Sequence, residues 1–132
     1  MKRVTGIGGI FFKSEDPKKL KEWYIKHLGV PLVVEGPNES YVIFNWKEQA
    51  KIKKKGYTLW GPFKEGTDYF DPTDKDYMFN FTVDNLEKLL ETLRKEGVYV
   101  FDEIIEHQEG KFGWILDPEG NKVELWEPVE EE

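Results

Sequence analysis

Cysteine is absent from this 132-residue chain. Disulfides and thiolate metal sites are therefore excluded, and nothing points to an oxidising compartment. Histidine is scarce, with only His27 and His107. No apolar run approaches the length that spans a bilayer, and Met1-Lys2-Arg3 leads into a strand-like segment rather than a signal-peptide core. The expectation is a cytoplasmic protein with no membrane partner. Positive charge is also in deficit: 19 Lys and Arg against 26 Asp and Glu give a formal charge of -7. That balance argues against nucleic acid as a partner. Part of it comes from Glu130-Glu131-Glu132, read as a frayed, solvated tail.

What the chain does have is aromatic rings. Hydrophobic residues make up 39% and aromatic residues 15%, enough for a folded core rather than disorder. Trp and Tyr line ligand pockets as readily as they fill cores. The length suits one domain over 1–132.

Ile7 to Lys13 reads as a strand. Asp16 then stands at a helix N-cap, with Pro17 at the first helical position. Leu20, Trp23, Tyr24 and Leu28 keep helical spacing up to Gly29. Strands follow at about Pro31–Glu35, Tyr41–Trp46 and Gly56–Phe63, with the lysine-rich Lys51 to Lys55 as an exposed loop. The stretch 66–76 is rich in Asp, Thr, Gly and Pro and reads as a connection.

After it the plan repeats. Tyr77 to Val83 reads as a strand, and Asp84 with Glu87 resembles a capping box. Leu86, Leu89, Leu90 and Leu93 form one apolar stripe that ends at Gly97. Strands at about Val98–Ile105, Lys111–Leu116 and Lys122–Trp126 complete the set, the last two joined by the turn Asp117-Pro118-Glu119-Gly120. Asp16 and Asp84, Gly29 and Gly97, and Val30 and Val98 share one spacing, which marks an architectural repeat. The expected fold is α+β: two βαβββ modules in one chain, about 4–65 and 77–128, followed by an acidic tail at 129–132. One helix packs behind each mixed sheet, and the opposite faces curl into a cup.

Strand alternation separates the faces. Tyr77, Phe79, Phe81 and Val83 suit the helix side, leaving Met78, Asn80 and Thr82 for the cup. Val123 and Leu125 place Lys122, Glu124 and Trp126 on the cup side, and the bulkier set Phe112, Trp114 and Leu116 is assigned there too. For the first strand the pattern does not choose between Ile7, Gly9, Phe11 and Lys13 and the alternate set Gly8, Ile10 and Phe12.

The run from Asp16-Pro17 through Trp23-Tyr24 to Leu28-Gly29, the repeated plan, and Asp117-Pro118-Glu119-Gly120-Asn121-Lys122-Val123-Glu124-Leu125 together resemble the vicinal oxygen chelate superfamily. This is the glyoxalase, bleomycin-resistance and extradiol-dioxygenase group, and the resemblance covers nearly the whole chain. It implies metal ligands on the cup faces, in the first and last strands of each module, holding a cation that activates neighbouring substrate oxygens. Glu124 matches the last-strand carboxylate. The matching first-strand positions are Gly9 and Met78, which are not ligands for such a metal. Gly56–Phe63 offers Thr58, Leu59 and Trp60 and no carboxylate. His27 reads as a packing or surface residue and His107 as part of an exposed loop. No cofactor is expected, and a divalent metal is disfavoured, with Glu124 its one matching ligand.

Glu124 beside Trp114 and Trp126 suits a general base or a hydrogen-bond anchor; the simpler reading is a solvent-exposed carboxylate. Lys13 and Lys122 are candidate partners for it, or for an anionic ligand group. Trp60, Met78, Phe112, Trp114 and Trp126 are candidate walls, and Asn80 is a polar group in need of partners. The functional expectation is a protein that binds an aromatic or amphipathic small molecule without the usual metal. The alternative is a lyase, isomerase or epimerase acting on a carbonyl compound, with Glu124 moving a proton. The resemblance also implies a homodimer.

Overall fold

A computed structural model describes the backbone of residue 3 and of residues 7–35 and 40–131. The expected start of the first module at 4–6 and the end of the acidic tail at Glu132 lie outside the described residues. The elements run α1 (Pro17–Leu28), β1 (Leu32–Glu35), β2 (Ser40–Ile43), α2 (Trp46–Gln49), β3 (Phe79–Thr82), α3 (Leu86–Lys95), β4 (Tyr99–Val100), β5 (Ile105–His107), β6 (Gly110–Leu116) and β7 (Lys122–Pro128). The protein is α+β with a mixed, open sheet. Among the described residues no helix is long and apolar enough to cross a membrane.

The five-stranded sheet has the order β3-β7-β6-β4, with β5 also paired to β6. β3 lies parallel to β7, whereas β6 and β7 form an antiparallel hairpin. One face carries the core: Phe79, Ile115, Val123 and Leu125 pack against Leu86, Leu90 and Leu93 of α3 and Leu20 and Tyr24 of α1. A Cβ at Gly113 would come within 2.8 Å of Leu90 Cδ1, so the small residue lets α3 sit close to the sheet.

Capping starts each helix. The Asp16 side chain accepts from Lys19 N at 3.1 Å, with Pro17 at the helix start. The cap of α3 is Asn85 and not Asp84: its side chain accepts from Lys88 N at 3.2 Å, while Glu127 Oε1 accepts from Leu86 N at 2.8 Å. A carboxylate from β7 thus satisfies a free amide of the helix start.

The first half departs from expectation. Among the described residues, Ile7–Lys13 and Gly56–Phe63 lie outside the ladders, and the paired strands of this half are β1 and β2. The second half, β3-α3-β4-β5-β6-β7, forms one sheet, and a corresponding first-half sheet is not shown. Gly8 and Gly9 weaken a strand there. Phe12 packs on Phe79 at 4.6 Å and Tyr77 at 6.1 Å between centroids, which puts it on the core side. The strand read through Trp46 stops at Ile43, because Asn45 accepts from Lys47 N at 2.9 Å and opens α2. The segment read as Val98–Ile105 divides into β4 and β5.

α1 lies against β2 of the two-stranded sheet and α3 against the five-stranded one, but the two helices share a core. Leu20 and Tyr24 of α1 join the core of the five-stranded sheet beside α3, and His27 contacts Glu96 at 2.8 Å between the two helix ends. His107 is exposed but belongs to β5 and pairs with Glu109. Nor is the tail frayed through its first residues. Lys54 and Glu130 form a bridge, and Lys55 N donates to Val129 O at 2.8 Å. The lysine-rich loop and the acidic tail carry opposite charge.

The turn after β6 fastens α1 to the sheet. Glu119 accepts from Ser14 Oγ at 2.7 Å and from Glu15 N at 3.0 Å, with a longer contact of 3.4 Å from Asp16 N. Burial pushes its carboxyl up, but these hydrogen bonds outweigh it and hold the group below its ordinary value. A depressed folded value gives stability that is present above the unfolded value and lost as pH falls through the folded one. We expect Glu119→Gln to cost ~1 kcal/mol at neutral pH. The gap from wild type should begin to close below the ordinary carboxyl value of 4.5 and vanish once the folded carboxyl is protonated. Urea titrations at a series of pH values read this, and a gap independent of pH refutes it.

Candidate functional site

Pairing register builds the site on the sheet face away from the helices. Asn80 is opposite Glu124 in the parallel pair, and Trp114 is opposite Glu124 in the hairpin. Asn80, Glu124 and Trp114 therefore form one row across three strands. Thr82, Trp126 and Phe112 form the next row, and Lys122 with Leu116 lies on the other side.

Glu124 is 7% exposed, so the solvent-exposed reading is overturned. Asn80 Nδ2 donates to its Oε2 at 2.7 Å, and the Tyr69 hydroxyl donates to Oε1 in a short hydrogen bond. A carboxylate has about four acceptor sites, so two donors leave capacity for a ligand. Tyr69 comes from the stretch read as a plain connection. It stacks on Phe63 with centroids 5.6 Å apart and meets Trp114 edge-on at 6.3 Å. Burial, then the hydrogen bond from the hydroxyl to Glu124, push the Tyr69 hydroxyl well above its ordinary range; the Trp114 indole opposes them. The phenol is thus a donor at neutral pH. A clue was legible in the sequence: adjacent Tyr69 and Phe70 in an otherwise polar connection need an apolar surface to cover them.

Lys122 does not bond to Glu124. Its Nζ donates to the Tyr69 carbonyl at 2.7 Å and lies 5.4, 5.2 and 5.6 Å from the ring centroids of Tyr69, Phe101 and Trp114. Burial among these rings lowers its pKa, against the pull of Glu124. Trp114 is 5% exposed, and its Nε1 is buried without a hydrogen-bond partner.

A cleft of about 1200 Å³ opens beside this row. Glu124, Asn80, Met78, Trp126 and Trp60 are in its lining, together with Tyr57, Phe63 and Phe70. Trp126 is fixed by a 2.8 Å bond from Nε1 to the Glu109 carbonyl and by Tyr57 at 5.2 Å. Trp60 is 81% exposed at the cleft. The other expected ligand-binding residues stand elsewhere. Phe112 is stacked on Trp126 with planes 5° apart, Trp114 lies beneath Tyr69, and Lys13 is exposed outside the lining. Among the described residues no group of three or more His, Asp or Glu side chains is placed to hold a metal ion.

A mixed sheet with β3 parallel to β7, a cup-side carboxylate in the last strand and the turn that precedes it define the fold class. A family model described as Glyoxalase/Bleomycin resistance protein/Dioxygenase superfamily matches residues 6–125. The chain belongs to that superfamily. Among solved structures it is similar in fold to a glyoxalase/bleomycin resistance protein/dioxygenase from Alicyclobacillus acidocaldarius, with a TM-score of 0.51 and 16% identity over 92% of each chain. No curated protein matches the chain.

Proposed function

We propose that the protein binds an aromatic or amphipathic small molecule in the cleft beside Glu124, without the divalent metal usual in its superfamily. One observation carries this reading: a buried carboxylate at the edge of an aromatic-walled cleft, held by two neutral donors and not by cations. The O–H of Tyr69 and the N–H of Asn80 point hydrogens at both Glu124 oxygens. A cation there would have to displace them, and Gly9 and Met78 add no suitable donor. The donor set does not fit a divalent metal. It fits a ligand with an aromatic body and a hydrogen-bond donor, which Glu124 and Asn80 orient while Trp60, Phe63 and Trp126 cover the rings.

The same reading takes the chain as one domain in which 7–13 and 56–63 complete a first βαβββ unit. The exposure of Phe11 at 93% and of Trp60 supports a further layer over that half. Thermal-shift screening with amphipathic aromatic amines and alcohols tests the binding. A stabilising ligand is expected for wild type, with at least tenfold weaker binding to Glu124→Gln. No shift across a broad set overturns the proposal, and so does a stoichiometric divalent metal in the purified protein that Glu124→Gln loses.

A further inference from the structure

The segment 64–76 crosses the cup side of the five-stranded sheet, and its backbone hydrogen bonds are local. Thr67 N donates to Lys64 O, Asp71 N to Asp68 O and Thr73 N to Phe70 O, while the Thr67 and Thr73 hydroxyls accept from amides two residues on. Among the described residues, the hydrogen bonds that join this segment to the sheet converge on Tyr69: its hydroxyl to Glu124 and its carbonyl from Lys122. It is a strap fastened at one residue, by its side chain to Glu124 and its carbonyl to Lys122.

Tyr69 also separates two groups of residues. Glu124 and Asn80 line the cleft, but Trp114, Lys122 and Phe101 do not. The Tyr69 ring lies against Trp114 and under the Lys122 ammonium, with Phe63 stacked on it. What surrounds this ring is complementary to a phenol in each part: a carboxylate for the hydroxyl proton, a cation for the π face, and aromatic surface. One buried donor, Trp114 Nε1, has no well-formed hydrogen bond while Tyr69 is in place, although the indole acts on the Tyr69 hydroxyl.

We propose that Tyr69 is a displaceable internal ligand, and that the inner cup takes a neutral phenol-sized aromatic hydrogen-bond donor in its place. This rests on the reading of the cleft as a binding site and names the class of group it selects. The incoming hydroxyl donates to Glu124, and its oxygen, free of the strap, can move to accept fully from Trp114 Nε1, which the tethered hydroxyl meets only weakly. Because the wild-type site is filled by its own side chain, apparent affinity is reduced by the fraction of molecules in which Tyr69 is released. Removing the ring should therefore strengthen binding.

The probe is p-cresol, the tyrosine side chain as a free molecule. Titrations use wild type, Tyr69→Ala and Tyr69→Phe, read by intrinsic tryptophan fluorescence and by calorimetry. Tyr69→Ala should bind p-cresol at least tenfold more tightly than wild type. Tyr69→Phe, which keeps the ring but not the Glu124 bond, should fall between them. Toluene, without the hydroxyl, should bind Tyr69→Ala at least tenfold more weakly than p-cresol. In wild type, saturating p-cresol should speed tryptic cleavage after Lys64 or Lys75, reporting release of the strap. Equal p-cresol affinity in wild type and Tyr69→Ala overturns the proposal, as does tighter binding in the variant with no change in wild-type proteolysis. If larger aromatics bind wild type and Tyr69→Ala alike, the cleft reading stands and displacement falls. If they bind neither, both fall. Should Tyr69→Ala not fold, Tyr69→Phe against wild type decides the affinity comparison.

Discussion

Replacing Asp117 by alanine should lower stability by about 3–5 kcal/mol, a drop in melting temperature of roughly 10–20 °C for a chain of this size. Asp117 is 5% exposed, and its two oxygens accept four hydrogen bonds. Oδ2 takes the Tyr24 hydroxyl at 2.7 Å and Asn121 Nδ2 at 2.6 Å; Oδ1 takes the backbone amides of Glu119 and Asn121, each at 2.9 Å. Asn121 in turn accepts from the Tyr77 hydroxyl at 2.8 Å. One side chain therefore ties α1, the turn between β6 and β7, and the approach to β3. Burial, then Asp117, raise the Tyr24 hydroxyl far above its ordinary range, so it stays a donor throughout the pH range of interest.

Alanine would strand four donors in a dry place, each carrying a desolvation cost. Tyr24→Phe removes one donor and leaves the other three satisfied, so it should cost only about 1 kcal/mol. Asp117→Asn should fall between them, because an amide NH₂ would face the donors on one side. Urea unfolding with unchanged m-values measures all three. If Asp117→Ala costs no more than Tyr24→Phe, the network is not what holds the turn.

This turn also shows what can be read from one sequence. Asp117-Pro118-Glu119-Gly120 was visible as a turn because Pro and Gly constrain the backbone locally. The alternation in β3, β6 and β7 put Asn80, Glu124 and Trp114 on one face, since a strand has a period of two whatever surrounds it. The roles of Asp117 and Glu119 were not visible. Their partners Tyr24 and Ser14 are distant in sequence, and no local pattern encodes a contact between them. Tyr69 was missed for the same reason. A loop has no periodicity, so nothing near residue 69 says which sheet face it will cross. The departures in the first half have a different origin. Ile7–Lys13 and Gly56–Phe63 have strand-like composition, yet a strand needs a partner ladder, and propensity yields to the pairing that tertiary structure offers.

Gly110→Ala is the second large effect, and it should be felt at the cleft. Gly110 opens β6 with φ +127°, and a Cβ there would lie 2.1 Å from the Glu127 carbonyl oxygen and 3.1 Å from both Glu127 C and Pro128 Cα. All three atoms are backbone, so no rotamer change relieves the clash. The first pairs of the β6–β7 ladder, Gly110 with Pro128 and Lys111 with Glu127, would have to separate. That combines strain at a left-handed backbone with lost pairing, and about 3–4 kcal/mol is expected. Gly113→Ala provides the contrast. Its Cβ would meet the end of the Leu90 side chain at 2.8 Å, which can shift, so about 1–2 kcal/mol is expected. The two variants should also differ in function. Opening the ladder at Gly110 moves Glu109, whose carbonyl holds the indole of Trp126, and Trp126 is a cleft wall. Gly110→Ala should therefore weaken binding of any cleft ligand and alter tryptophan emission in the folded protein, whereas Gly113→Ala should change stability with little change in binding. Equal losses of stability in the two variants would mean that the Glu127 backbone yields easily. The β6–β7 hairpin would then not be the rigid element that positions Trp126 and Glu124.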